Sequence, residues 1–147
     1  MKNIAVIADT SGSMAEDDKN AVVRYVLGSI ANLREKREFS SYCFELYEWG
    51  ASTRKAEDWD NIKLSFAGRT DVEALGAVLE EGDSSLLIVS DGNFPKKTLK
   101  ALKELCLKYR TAAVSVGMDA SRSALKEITT NGEVFSVTEI AAAIKSL

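Results

Sequence analysis

The chain has 147 residues, of which 46% are hydrophobic and 28% are charged, and its formal net charge is −3. This composition indicates one globular domain, and the balance of 19 basic against 22 acidic residues argues against a dedicated binder of nucleic acid or of anionic membranes. The sequence contains no histidine, which excludes catalysis by serine–histidine or cysteine–histidine pairs and zinc bound through histidine.

Strand and helix patterns alternate in the first half of the chain. The run NIAVIA at residues 3–8 is continuously apolar and predicts a strand buried on both faces. A helical period follows over residues 14–36. Alternation at residues 41–48 and 62–66 predicts the two strands of a hairpin, and the polar residues 52–60 between them are predicted to form a solvated loop.

The second half of the chain continues this alternation. Its strongest strand signal is the apolar run SLLIVS at residues 85–90. Pro95 precedes a helical period, as the start of a helix permits. The other predicted elements are helices at residues 71–80, 96–109, 121–130 and 138–147 and strands at residues 111–116 and 134–137.

The order of these elements predicts an α/β fold in which residues 1–147 form a single domain. Strands that alternate with helices form parallel sheets covered on both faces. We therefore expect a doubly wound, Rossmann-like and mostly parallel sheet of about six strands, with one antiparallel strand at its edge. Ligands bind such sheets at the carboxyl ends of the strands, where the strand order reverses.

Polar side chains follow both of the strongly buried strands. Asp9 ends the first strand and Asp91 follows the second, so the two carboxylates are expected at the same edge of the sheet. Ser11 and Ser13 follow Asp9 on a glycine-containing loop. A serine or aspartate on this loop could instead cap the next helix, and the sequence SDG could by itself form a turn.

A third hydroxyl is supplied by Thr70 in the sequence GRTD, where it could also cap a helix. Two aspartates, two serines and one threonine make an oxygen-only set, which is what hard cations such as Mg²⁺ prefer. Because hydroxyls are weak, neutral ligands, such a cation would still attract a carboxylate from outside. The predicted ligands of Mg²⁺, with Mn²⁺ or Ca²⁺ as alternatives, are Asp9, Ser11, Ser13, Thr70 and Asp91.

The motifs DTSGSM, GRTD and SDG, in this order on an alternating α/β chain, resemble the von Willebrand factor type A (VWA) domain with a metal-ion-dependent adhesion site (MIDAS). The resemblance covers nearly the whole chain and is to small, stand-alone prokaryotic members. Asp9, Ser11 and Ser13 match the family motif DxSxS, and Thr70 and Asp91 match its later threonine and aspartate. The resemblance implies that a Glu or Asp of a protein partner completes the metal coordination, and a MoxR-type AAA+ ATPase system is one candidate partner.

The chain departs from this family pattern in several places. It is short, and the segment between GRTD and SLLIVS has room for one helix where the family often has two. Arg69 stands where a small residue is common, and we expect it to face solvent. Glu16, Asp17 and Asp18 resemble a second cation site of integrin-type members, but we favour acidic residues that complement the dipole of a helix in its first turn.

The sequence therefore predicts a non-catalytic, metal-dependent protein-interaction module that binds neither nucleic acid nor membranes. One alternative is a Mg²⁺-dependent phosphatase of the haloacid dehalogenase type. That family has an acid/base aspartate two residues after its nucleophile, where this chain has Ser11, which cannot serve as the proton donor. Another alternative is a VWA fold that has no metal function.

The cysteines and the apolar runs predict a cytoplasmic protein. Cys43 and Cys106 lie in apolar patterns, which favours small buried side chains over a disulfide or a metal site. No apolar run approaches the roughly 20 residues that span a bilayer. The apolar run near the N-terminus ends at Asp9 and is too short for a signal peptide.

Overall fold

The computed structural model describes residues 1–59, 64, 66, 68–79 and 84–147. In this part of the chain, none of the helices is long and apolar enough to cross a membrane. Short 3-10 turns at Gly12–Ala15, Arg37–Phe39 and Thr130–Gly132 supplement the main elements. These main elements are the strands β1 (Lys2–Asp9), β2 (Tyr42–Trp49), β3 (Thr53–Ala56), β4 (Ser84–Ser90), β5 (Thr111–Ser115) and β6 (Val134–Phe135), and the helices α1 (Lys19–Arg34), α2 (Val72–Val78), α3 (Lys96–Cys106), α4 (Arg122–Ile128) and α5 (Ile140–Lys145).

The six described strands form one sheet in the order β3-β2-β1-β4-β5-β6. All neighbouring strands are parallel except β3, which pairs antiparallel with β2 at the edge. From the central strand β1, the chain adds β2 on one side and later β4 on the other, so the strand order reverses between β1 and β4. The predicted doubly wound, mostly parallel architecture is thereby confirmed.

The core is divided between the two faces of this sheet. Alternate side chains of β1 point to opposite faces, because the side-chain period of a strand is two. Ile4 and Val6 pack with helices α1 and α5, whereas Ala5 and Ile7 pack with α2, α3 and α4. Both faces of the central strands are therefore covered, which explains why NIAVIA and SLLIVS are apolar without alternation.

The antiparallel edge strand differs from the predicted one. The partner of β2 is β3, which lies within residues 52–60 and so contradicts the solvated loop predicted there. Two of its four residues TRKA are exposed and the other two are half-buried, as is common for an edge strand. The strand predicted at residues 62–66 lies largely outside the described residues, and Leu64 and Phe66 are described without strand structure.

The start of α1 also differs from the prediction. The helix begins at Lys19, after the 3-10 turn and two residues in the left-handed conformation, Asp17 (φ 48°) and Asp18 (φ 61°). Glu16, Asp17 and Asp18 therefore precede the helix and do not lie in its first turn, so the favoured dipole interpretation is wrong. Aspartate is among the few residues besides glycine that adopt this conformation readily.

The two cysteines have different environments. Cys106 is buried, as predicted, whereas Cys43 is exposed, contrary to the prediction. Cys43 lies on the face of β2 whose later residues Tyr47 and Trp49 are covered by the helical layer. The helical layer does not reach the beginning of β2, so the residues on this face of the strand are buried only toward its end.

Candidate functional site

Asp9 and Asp91 lie side by side at the carboxyl edge of the sheet. Asp9 is the last residue of β1 and Asp91 directly follows β4, and these strands are neighbours in register, with Ala8 opposite Val89. Both aspartates are almost completely buried. The position is the one where the strand order reverses, and open α/β sheets bind ligands at this position.

The carboxylate of Asp9 is held by two hydrogen bonds. The backbone N–H of Ser11 donates to Oδ1 at 2.9 Å, and the hydroxyl of Ser90 donates to Oδ2 at 2.6 Å. Burial raises the pKa of Asp9, although these hydrogen bonds act against the increase. Such a carboxylate is costly to ionise in the interior, and a cation placed close to it would favour its charged form.

The hydroxyls of Ser11 and Ser13 lie together on the loop after Asp9. Their Oγ atoms are 3.3 Å apart, and both residues are half-buried. Ser11 precedes the 3-10 turn at Gly12–Ala15 without any side-chain capping bond. The N-cap alternative therefore does not account for Ser11, and the paired hydroxyls need another explanation.

Thr70 is buried on a loop that is bonded to the serine loop. The backbone N–H of Gly12 donates to the carbonyl of Gly68 at 3.0 Å, which joins the two loops. The N-cap of α2 is Asp71, whose Oδ1 accepts from the N–H groups of Glu73 and Ala74 at 2.9 and 3.3 Å. The capping role considered for Thr70 thus belongs to its neighbour.

Asp91 is in a different electrostatic environment from Asp9. Its Oδ1 accepts from the backbone N–H of Asn93 at 3.0 Å, and its Oδ2 accepts from Nζ of Lys19 at 3.0 Å. Burial opposes ionisation of this carboxyl, but the bonds from Asn93 and Lys19 outweigh burial, with a smaller contribution from Ser13, and lower the pKa of Asp91. Asp91 is therefore held as an anion in the interior.

Sequence reasoning missed Lys19, the first residue of α1. The side chain is 1% exposed, and its Nζ lies 3.0 Å from Asp91 and 2.8 Å from Asp119. Burial disfavours the ammonium, but the bonds to Asp119 and Asp91 outweigh burial and raise the pKa of Lys19. A lysine at the start of a helix opposes the helix dipole, but because the predicted helix begins at residue 14, this mismatch is not visible in the sequence.

The donor set at this edge fits a hard divalent cation better than a soft one. Within the described residues, no group of three or more His, Cys, Asp or Glu side chains could hold a metal ion. A cation here would thus depend on hydroxyl ligands in addition to carboxylates, as the predicted oxygen-only set requires. The structure brings together Asp9, Ser11, Ser13 and Asp91 and joins the loop of Thr70 to them.

An open groove of about 460 Å³ lies beside Thr70. Arg69, which is exposed as expected, and Lys97 from α3 line it together with Asp71 and Glu73. The groove therefore presents both signs of charge next to one of the predicted ligands.

Comparisons with known proteins support the fold. No protein-family model matches the chain, and no curated protein matches it in sequence. Similar solved structures include an aerotolerance-related membrane protein from Bacteroides fragilis, with a TM-score of 0.70, 13% identity and 100% of both chains covered. They also include a von Willebrand factor type A protein from Catenulispora acidiphila, with a TM-score of 0.63 and 14% identity over 99% of this chain and 41% of that chain.

The fold is VWA-like. A further similar structure is proximal thread matrix protein 1 from the mussel byssus with a zinc-occupied MIDAS motif. It has a TM-score of 0.68 and 17% identity over 99% of this chain and 45% of that chain. At least one protein with this VWA-like fold therefore carries a divalent metal in a MIDAS motif.

Proposed function

We propose that this chain is a non-catalytic, metal-dependent interaction module that binds an acidic residue of a protein partner. The observation that carries the proposal is the meeting of carboxylates and hydroxyls where the strand order reverses. The residues proposed to hold Mg²⁺, or Mn²⁺ or Ca²⁺ in its place, are Asp9, Ser11, Ser13, Thr70 and Asp91.

Each part of the site has a separate task in this proposal. Asp9 and Asp91 supply negative charge from the buried ends of two neighbouring strands. Ser11 and Ser13 supply neutral oxygen atoms on a loop that the Gly12–Gly68 hydrogen bond fixes in place. When bound, the cation would supply the positive charge that attracts a partner carboxylate.

The zinc-occupied MIDAS motif of proximal thread matrix protein 1 supports the binding of a divalent cation by a chain with this fold. The groove beside Thr70 supports an approach by a protein segment, because charged side chains of both signs line it. We propose a cytoplasmic location and a MoxR-type AAA+ ATPase system as one candidate source of the partner.

The proposal is tested by recovering partners from lysate on the immobilised chain in Mg²⁺, in EDTA, and in Mg²⁺ with the variant Ser11→Ala. The expected partner is retained only in the first condition, because its carboxylate reaches the chain through the cation. The matched control is Ser29→Ala, which removes a hydroxyl bonded to the carbonyl of Tyr25 on α1, and it should retain the partner. Equal recovery in all conditions would contradict the metal-bridged mechanism.

Catalysis offers a second check on the same proposal. Incubation with a generic aryl phosphate and Mg²⁺ should release no phosphate above the level of Asp9→Asn. Turnover that depends on Asp9 would instead support the phosphatase alternative and contradict a purely binding role.

A further inference from the structure

A cation of the protein itself already lies inside the site. The ammonium of Lys19 bonds to Asp91 at 3.0 Å and lies 3.3 Å from the carbonyl oxygen of Ser13. The carboxylate of Asp91, a proposed metal ligand, is therefore in contact with a positive charge that belongs to the chain, and the backbone carbonyl of Ser13 lies beside the same charge. On its other side the ammonium pairs with Asp119 at 2.8 Å.

The surrounding structure fixes this lysine in place. A Cβ atom on Gly117 would lie only 2.7 Å from Cε of Lys19, so the absence of a side chain there makes room for the lysine stem. Asp17 and Asp18 adopt left-handed conformations directly before Lys19. Helix α1 then begins at Lys19, whose side chain is 1% exposed.

We propose that Lys19 is a positioning residue that orients Asp91 and limits the affinity of the site for divalent cations. This inference rests on the proposed function. The ammonium offsets the charge of one of the two buried carboxylates, Asp9 and Asp91, and leaves the site less negative than its sequence motif suggests. The negative charge of Asp119 acts against this effect, but Asp119 is 52% exposed, so solvent screens its charge.

A purely structural role for the same ion pair gives the opposite expectation. If Lys19 only supported the fold, its removal would disturb Asp91 and weaken or leave unchanged the binding of metal. If its charge opposes the cation, its removal strengthens metal binding. At an effective dielectric constant of about 20, a unit positive charge within roughly 10 Å of a divalent cation repels it strongly. The repulsion energy is larger than the binding free energy that corresponds to a tenfold change in affinity.

The test is calorimetric titration with Mn²⁺ at fixed ionic strength. Lys19→Met should bind Mn²⁺ roughly tenfold or more tightly than the unmodified chain. The exposed Lys100→Met, which makes the same change of net charge on α3, should bind it as the unmodified chain does. Because Lys19→Met leaves two carboxylates without their shared partner, folding of each variant is checked first by circular dichroism.

A second pair of variants keeps the test decisive if Lys19→Met does not fold. Lys19→Met combined with Asp119→Asn removes one charge of each sign, and it is compared with Asp119→Asn alone. Tighter binding in the double variant supports the proposal, and equal or weaker binding overturns it while the proposed function stands. Absence of Mn²⁺ binding in the unmodified chain and in all variants would overturn the proposed function and this inference together.

Discussion

Two buried aspartates show how the environment of a single residue decides its role. Burial raises the pKa of Asp9, and its hydrogen bonds from Ser90 and Ser11 only reduce the increase. Burial acts in the same direction on Asp91, but the bonds from Asn93 and Lys19 outweigh burial and lower its pKa. The same side chain is thus a cost to the folded state at one position and a stabilised ion at the other.

Substitution of these two residues should have opposite effects in EDTA. A carboxyl whose pKa is raised by folding opposes folding when it is ionised, so Asp9→Asn should be as stable as the unmodified chain or more so. Asp91→Asn should be less stable, because Lys19 loses an ionic partner in the interior. Denaturant unfolding at pH 7 measures both, and a large loss of stability in Asp9→Asn would instead indicate a structural role for Asp9.

Gly92, directly after Asp91, should not tolerate a side chain. Its φ is +72°, and a Cβ atom there would lie 2.6 Å from the carbonyl oxygen of Ser121. We expect Gly92→Ala to reduce the free energy of unfolding by about 2 kcal/mol or more, because left-handed strain adds to a clash with backbone. Denaturant titration measures the loss.

The matched control for Gly92→Ala is Gly28→Ala. Gly28 lies within α1, is exposed, and has nothing within 4 Å of its added Cβ atom. Alanine should therefore stabilise this helix by roughly 0.5–1 kcal/mol. Equal stability of the two variants would show that the turn after β4 adapts to a side chain.

Among the elements, the short helix α2 depends on its first turn. It has seven residues, and short helices gain little from propensity alone. Asp71 caps its first N–H groups, and the carbonyl of Asp71 accepts a hydrogen bond from Nε1 of the buried Trp49 at 2.9 Å. The loop that carries Thr70 is therefore attached to the fold from both the helix and the sheet.

Removal of this cap should affect both stability and the site. Asp71→Ala should reduce the free energy of unfolding by about 1 kcal/mol, whereas Asp71→Ser, which can still cap, should lose only a fraction of this. The proposed metal affinity should also fall in Asp71→Ala, since Thr70 precedes the cap. Denaturant titration and Mn²⁺ calorimetry check the two effects, and unchanged values in both would contradict the role assigned to the cap.

The elements also show which parts of the structure could be predicted from sequence. Buried parallel strands such as β1 and β4 are recognised by continuous apolar runs, and their order along the chain predicts the edge at which Asp9 and Asp91 meet. The strand β3 was missed because it has only four residues, TRKA, which show no clear alternation of apolar and polar side chains. Lys19 was missed because the left-handed residues before α1 leave no mark in the hydrophobic pattern.

At the scale of the whole molecule, the order of the strands in the sheet determines which loops meet at the site. The strand order reverses between β1 and β4, and this reversal brings together loops that are more than 50 residues apart in sequence. The loops of Gly12 and Gly68 are an example. These loops are assembled only when the sheet is complete. A cation that binds there would consequently bind the folded state and not the unfolded chain.

Binding of this kind should raise the thermal stability of the whole chain. At a free Mg²⁺ or Mn²⁺ concentration 100 times the dissociation constant, the stabilisation should be about 2.7 kcal/mol. Thermal unfolding in millimolar metal and in EDTA measures the shift, and Asp9→Asn should show none. Identical melting temperatures, together with no heat of binding, would contradict the proposed metal site.

The two ends of the chain lie together at the edge of the sheet opposite the candidate site. Lys2 starts β1, whose other end is Asp9, and the ammonium of Lys2 donates to the carbonyl of Leu147. An attachment at either end therefore leaves the site pointing away from the anchor. The chain could be fixed to a sensor surface or displayed on a carrier particle through either end, with the edge that carries Asp9 still facing the solution.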